Sequence, residues 1–212
     1  MTANILLDDL ANDLAPVRPL RDWQAVIGLA AFGLFAATAV GLMLGIREDV
    51  LAGTPHPMFL LRTGLLLMLG GICAAAALAM ARPGIGRANR AWQAAVAMAG
   101  IVPATAAVVA IIDPAAAAQA VWWSSALWCL GVSLLAACGF AAVIVAQLRR
   151  GAPVSLERAG IVTGIAAGSL GVLVYSLYCP ANSVAYIGLW YGLAIAMSTL
   201  TARFVVPPLI RW

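Results

Sequence analysis

The chain has 212 residues, of which 64% are hydrophobic and only 9% charged, where soluble domains carry roughly a quarter charged residues. Together with a mean hydropathy of +1.01, this excludes a soluble globular domain and indicates a polytopic membrane protein. The net charge is +4 and every one of the 12 basic residues is arginine. The arginines are scattered between apolar runs, which argues against direct nucleic-acid binding and makes them topology signals.

Residues 1–22 are the only stretch long and polar enough to work outside a bilayer. From Asn4 to Leu14 the apolar spacing is helical, with Leu6, Leu7, Leu10, Ala11 and Leu14 on one arc and Asp8, Asp9, Asn12 and Asp13 opposite. Asn4 is a suitable N-cap, and Pro16 and Pro19 end the helix. A helix lying on lipid normally turns Lys and Arg to the headgroups. This one has aspartates and no base before Arg18, so its leucine stripe suits a protein groove with a basic rim.

Six apolar runs follow at 23–46, 59–81, 92–112, 122–148, 159–178 and 184–206, each long enough for about 30 Å of hydrocarbon. The expected fold is all-α: a cytoplasmic segment (1–22) carrying a short amphipathic helix, then a domain of six transmembrane helices (23–212). Ten arginines fall on one side of this topology and only Arg47 and Arg62 on the other, which places both termini in the cytoplasm. The first run is too long, and too clearly followed by further spans, to be a cleaved signal peptide.

Along the spans, Gly41 and Gly45 form a small-xxx-small pair suited to helix contact. His56, the only histidine, lies between two prolines in the first outer loop, where a solvated side chain is the ordinary outcome. Arg62 is a few residues inside its span and expected to snorkel to the interface. Pro103 kinks the third span, an alanine segment leads to Trp122, Trp123 and Trp128, and the fifth span is rich in Gly and Ala for close packing. Pro83 and Gly84 make the first inner loop a tight turn.

The catalytic inventory is thin. There is no lysine, no CxxC, no HExxH and no intramembrane carboxylate in the predicted spans, so a non-enzyme is expected and a proton-coupled transporter is disfavoured. Cys73 and Cys138 fall within hydrocarbon, where cysteine packs as a small apolar residue. Cys129 and Cys179 fall near the outer ends of two consecutive antiparallel spans. A disulfide between them, a soft-metal site that could include His56, and two unrelated thiols all remain open. A thiol or quinone oxidoreductase and a small transporter are the alternative functional classes.

Residues Leu7-Asp-Asp-Leu-Ala-Asn-Asp-Leu-Ala-Pro-Val-Arg-Pro-Leu-Arg21, Arg149-Arg-Gly-Ala-Pro153, Cys129, Tyr178-Cys-Pro-Ala-Asn-Ser183, Trp190-Tyr-Gly192 and Leu209-Ile-Arg-Trp212 together resemble the NrsF-type family of polytopic anti-sigma factors. The resemblance implies a bacterial inner-membrane protein that holds an extracytoplasmic-function sigma factor and releases it on stress. It implies a sigma-binding segment at Leu6, Leu7, Asp9, Leu10, Asp13, Leu14, Val17 and Arg18, sensing thiols at Cys129 and Cys179, and no resident cofactor. The family often has His before its Cys-Pro and an acid after it, whereas Tyr178 and Ala181 stand here. That weakens a metal site needing those side chains and leaves the thiol proposal intact.

Overall fold

The computed structural model describes residues 22–82, 91–121, 126–151 and 153–211. The expected amino-terminal helix with its binding residues, the turn at Pro83 and Gly84, and Trp122 and Trp123 lie outside them. Every regular element among the described residues is helical. In order these are α1 (Asp22–Leu44), α2 (Glu48–Leu51), α3 (Pro57–Met80), α4 (Ala91–Ile112), α5 (Pro114–Val121), α6 (Ala126–Leu148), α7 (Leu156–Ser176) and α8 (Val184–Tyr186). A π-helical turn, Ile187–Tyr191, then joins α8 to α9 (Gly192–Ile210). Six helices are long and apolar enough to cross a membrane: α1, α3, α4, α6, α7 and the continuous rod Val184–Ile210.

α7 is the centre of the bundle and packs against α3, α6 and α9. It is buried along nearly its whole length, whereas α1 and α4 are mostly exposed around the outside. Lipid is as apolar as leucine, so greasiness does not draw helices together in a membrane; small residues that let backbones approach do. α7 accordingly has a mean hydropathy of only 1.6, against 2.3 for α4. Its Gly160, Gly164 and Gly168, four residues apart, form a stripe against α9: a Cβ on Gly164 would stand 2.5 Å from Thr199 Cα and 2.9 Å from the Ser198 carbonyl. The Ser198 hydroxyl donates to the Gly164 carbonyl across this contact at 3.1 Å. On another face, Gly171 lies against the backbone of α6 at Ser133 and Ala137.

Helix boundaries follow local chemistry. α1 stops at Gly45, whose φ of +89° is the left-handed cap conformation and whose N–H donates to the Gly41 carbonyl at 3.1 Å. The Gly41–Gly45 pair is therefore a stop signal, not a helix–helix contact: Gly45 has open space beside it, and Gly41 is covered by the Ile46 side chain. α3 starts with Pro57, and His56 Nδ1 accepts the Met58 N–H at 3.1 Å. The lone histidine is thus a helix cap. The alanine segment forms α5, and the described part of the fourth span runs from Ala126 to Leu148.

In the last span the π turn inserts an extra residue into the helical repeat where the rod passes α4. A Cβ on Gly188 there would stand 2.7 Å from Ala106 Cβ, and one on Gly192 would stand 3.4 Å from Pro103 Cβ. The Trp190 indole N–H donates to the Ala120 carbonyl at 2.8 Å, tying α5 to this rod. At the opposite end Gly151 lies against the Ala81 carbonyl. Glu157 pairs with Arg203 at 2.6 Å, and Arg158 stands 5.4 Å from the Trp92 ring centroid.

Candidate functional site

The two cysteines singled out from sequence lie at the same end of the bundle. Cys129 falls in the first turn of α6, and Cys179 lies three residues beyond the end of α7. Because α6 and α7 pack as an antiparallel pair, these two ends are neighbours. Both cysteines are fully buried and lie within electrostatic reach of each other. Cys129 faces the hydroxyls of Tyr186 and Ser133, and Cys179 faces that of Tyr191. Tyr186 and Tyr191 meet edge to face at 6.3 Å, and Tyr175 and Tyr178 do so at 5.8 Å.

The last turn of a helix leaves carbonyls without intrahelical partners and a partial negative charge, and at the end of α7 two arginines answer that demand. Arg62 of α3 donates from Nη2 to the carbonyls of Ser176 at 3.0 Å and Cys179 at 2.8 Å, and from Nη1 to that of Ala181. Arg47, in the α1–α2 turn, donates to the same Cys179 carbonyl at 2.6 Å and to Asn182 Oδ1 at 3.3 Å. Both guanidinium groups flank the Phe59 ring, 5.4 and 5.5 Å from its centroid, within cation–π range.

The surroundings of the two arginines differ. Arg47 makes a bidentate pair with Asp49, Nε to Oδ1 at 2.8 Å and Nη2 to Oδ2 at 2.7 Å. That hydrogen-bonded guanidinium holds the Asp49 carboxyl well below the usual aspartate range and raises Arg47 in turn. Arg62 is only 3% exposed, and among the described residues no carboxylate reaches it. It does not snorkel outwards. Its donors turn inwards because three backbone carbonyls wait there, and an unpaired arginine in this setting would be far costlier than one so held.

Of the other predicted candidates, Cys73 is buried within α3 and Cys138 is exposed on α6. His56 caps α3 apart from the thiols, and among the described residues no three of His, Cys, Asp and Glu converge as a metal-ligand set. A cleft of about 670 Å³ opens beside the clamped turn, lined in part by Arg47, Asp49, His56, Tyr178, Pro180 and Asn182. Sequence reasoning missed the arginine clamp, Phe59 and the tyrosines. The available signal was that the two arginines on the sparsely charged side share that side with Cys179.

Fold and site together define a multi-pass helical protein of membrane type whose polar chemistry is gathered around a thiol pair at one end. The chain belongs to the NrsF family, described as "Negative regulator of sigma F", which matches residues 10–212. It is 28% identical over 189 residues to the "Probable anti-sigma-F factor NrsF" of Azospira oryzae, covering 86% of this chain and 87% of that one. It is also 28% identical over 224 residues to the "Anti-sigma-F factor NrsF" of Caulobacter vibrioides, covering 100% of each. No solved structure matches the chain.

Proposed function

We propose that this protein is an anti-sigma factor that holds an extracytoplasmic-function sigma factor at the inner face of the bacterial cytoplasmic membrane and releases it on stress. The observation that carries this reading is membership of the negative regulators of sigma F from residue 10 to the end of the chain, on a scaffold with six helices able to span a bilayer. The binding element is the acidic segment before α1. Leu6, Leu7, Leu10 and Leu14 enter an apolar groove on the sigma factor, with Asp9 and Asp13 towards its basic rim and Val17 and Arg18 continuing the contact. Such a helix covers basic surfaces that a sigma factor otherwise turns to DNA phosphates.

The sensing element is the Cys129–Cys179 pair at the outer end. Oxidation or soft-metal capture there repacks the ends of α6 and α7, and this becomes a signal when the altered bundle and the sigma-bound bundle are different states of one equilibrium. The central position of α7, in contact with α3, α6 and α9, supports a route from that end to the other. Both relatives are named as anti-sigma-F factors, which supports a regulatory role.

The test is a detergent pull-down from native membranes with the full chain and with a chain starting at Trp23. A sigma factor retained by the first and lost from the second is the expected result; a sigma factor retained by neither overturns the proposal. Leu10→Asp and Leu14→Asp should each switch on the sigma factor's genes with the membrane protein at its normal level. Cys179→Ser should abolish induction by oxidant or soft metal. Induction that survives this change defeats thiol sensing alone.

A further inference from the structure

We propose that Arg62 is the positioning residue of the thiol site: from α3 it latches the 176–182 turn closed, keeping Cys179 buried beside Cys129. The inference rests on the reading of that pair as the sensing element and adds what holds it shut.

Three observations carry it. First, Arg62 spends its terminal nitrogens on backbone carbonyls, those of Ser176, Cys179 and Ala181, with the Phe59 and Tyr191 rings packed 5.5 and 5.9 Å from the guanidinium carbon, so these hydrogen bonds read the path of the chain. Those carbonyls begin in the last turn of α7 and run past Cys179, so the guanidinium staples a helix end to the turn that leaves it. Second, Arg62 is almost wholly buried without a carboxylate partner among the described residues. Its charge is tolerable only while the carbonyls stay in place, which makes opening the turn and exposing the charge one event. Third, the Cys179 carbonyl accepts from Arg47 as well as from Arg62. The second arginine comes from a different segment and is itself fixed by Asp49.

Cys179 is fully buried, so a reagent meets it only through local opening of the turn. The latch therefore sets the rate at which any thiol-directed signal arrives.

The experiment is N-ethylmaleimide labelling of the full-length protein in native membranes, with each cysteine quantified separately. In the reaction the thiol adds across the maleimide double bond, forming one S–C bond and passing its proton to the adjacent carbon. Arg62→Gln should raise the labelling rate of Cys179 about tenfold or more, since hydrogen bonds to charged groups are among the stronger ones lost in opening. Arg62→Lys, which keeps the charge but not the fork, should recover only part of the protection. Cys73, buried in the same helix, should stay protected in both variants, which separates a released turn from a loosened bundle.

If Arg62→Gln also exposes Cys73, Arg47→Gln decides. It removes one of the two donors to the Cys179 carbonyl and should raise Cys179 labelling severalfold with Cys73 still protected. An unchanged Cys179 rate in Arg62→Gln with Cys73 protected, or in Arg47→Gln when Arg62→Gln loosens the bundle, overturns the latch. Labelling is read on the protein alone. Gene induction that ignores Cys179→Ser would thus defeat the sensing reading and leave this measurement interpretable.

Discussion

At Asp49 a local pair has a consequence that a titration can read. The bidentate bonds from Arg47 hold its carboxyl well below the usual value, near 3.9 for free aspartate. A carboxylate depressed on folding stabilises the folded state fully above its unfolded pKa, and the contribution fades as pH falls towards the folded one. Asp49→Asn should therefore lower the melting temperature of the detergent-solubilised protein by the same amount from neutral pH down to about 4, with the gap narrowing only below that. Thermal unfolding across a pH series checks this, and a gap already closed near pH 6 would show that Asp49 does not bear the pair. The same residue brings order elsewhere, since its carboxylate also accepts the His56 N–H at 3.2 Å just ahead of α3. The pair thereby fixes both ends of the segment between α1 and α3.

Among the elements, α7 is where composition and packing agree most closely. The close approach at Gly164 leaves no room for a methyl group, and overpacking of this kind costs about 1–3 kcal/mol. Gly164→Ala should destabilise the bundle by about that much in denaturant titrations in detergent. Gly64→Ala on α3, where nothing lies within 4 Å, should change stability by less than about 0.5 kcal/mol. Equal effects at the two positions would mean that the α7–α9 contact is not the one that holds the core.

The glycine and alanine content of this span is enough, by itself, to mark it as closely packed. Hydropathy alone also finds all six spanning helices to within a few residues. What it misses are features that depend on a partner. The rule that a cation near a span end snorkels knows the depth of Arg62 but not that carbonyls from residues more than a hundred positions away converge on it. Gly45 fits a packing motif and a helix stop equally well by spacing, and only its φ decides. The π turn shifts the repeat by one residue inside a uniformly apolar run, where periodicity carries no mark of it.

At the scale of the molecule, the two arginines on the sparsely charged side do not weaken the positive-inside expectation. Positive-inside bias is exerted by cations close to the ends of spans. Arg47 is neutralised by Asp49, and Arg62 is enclosed among the carbonyls of Ser176, Cys179 and Ala181, so neither is a free charge at its end of the bundle. Arg82, Arg149, Arg150, Arg158, Arg203 and Arg211 lie at the opposite end among the described residues, and the sequence order of the spans assigns the remaining four arginines to that same side. Orientation should follow those ten. Six spans return the chain to its starting side, so the amino-terminal segment, the α6–α7 connection and the carboxyl terminus should share the cytoplasm, with the thiol pair across about 30 Å of hydrocarbon. In a chain whose native cysteines are replaced by serine, Thr54→Cys should react with a membrane-impermeant maleimide in intact cells. Ser155→Cys, between α6 and α7, should react only after lysis. The reverse pattern would place the acidic segment outside the cell, away from any sigma factor, and would overturn the sequestration proposal whatever the family resemblance.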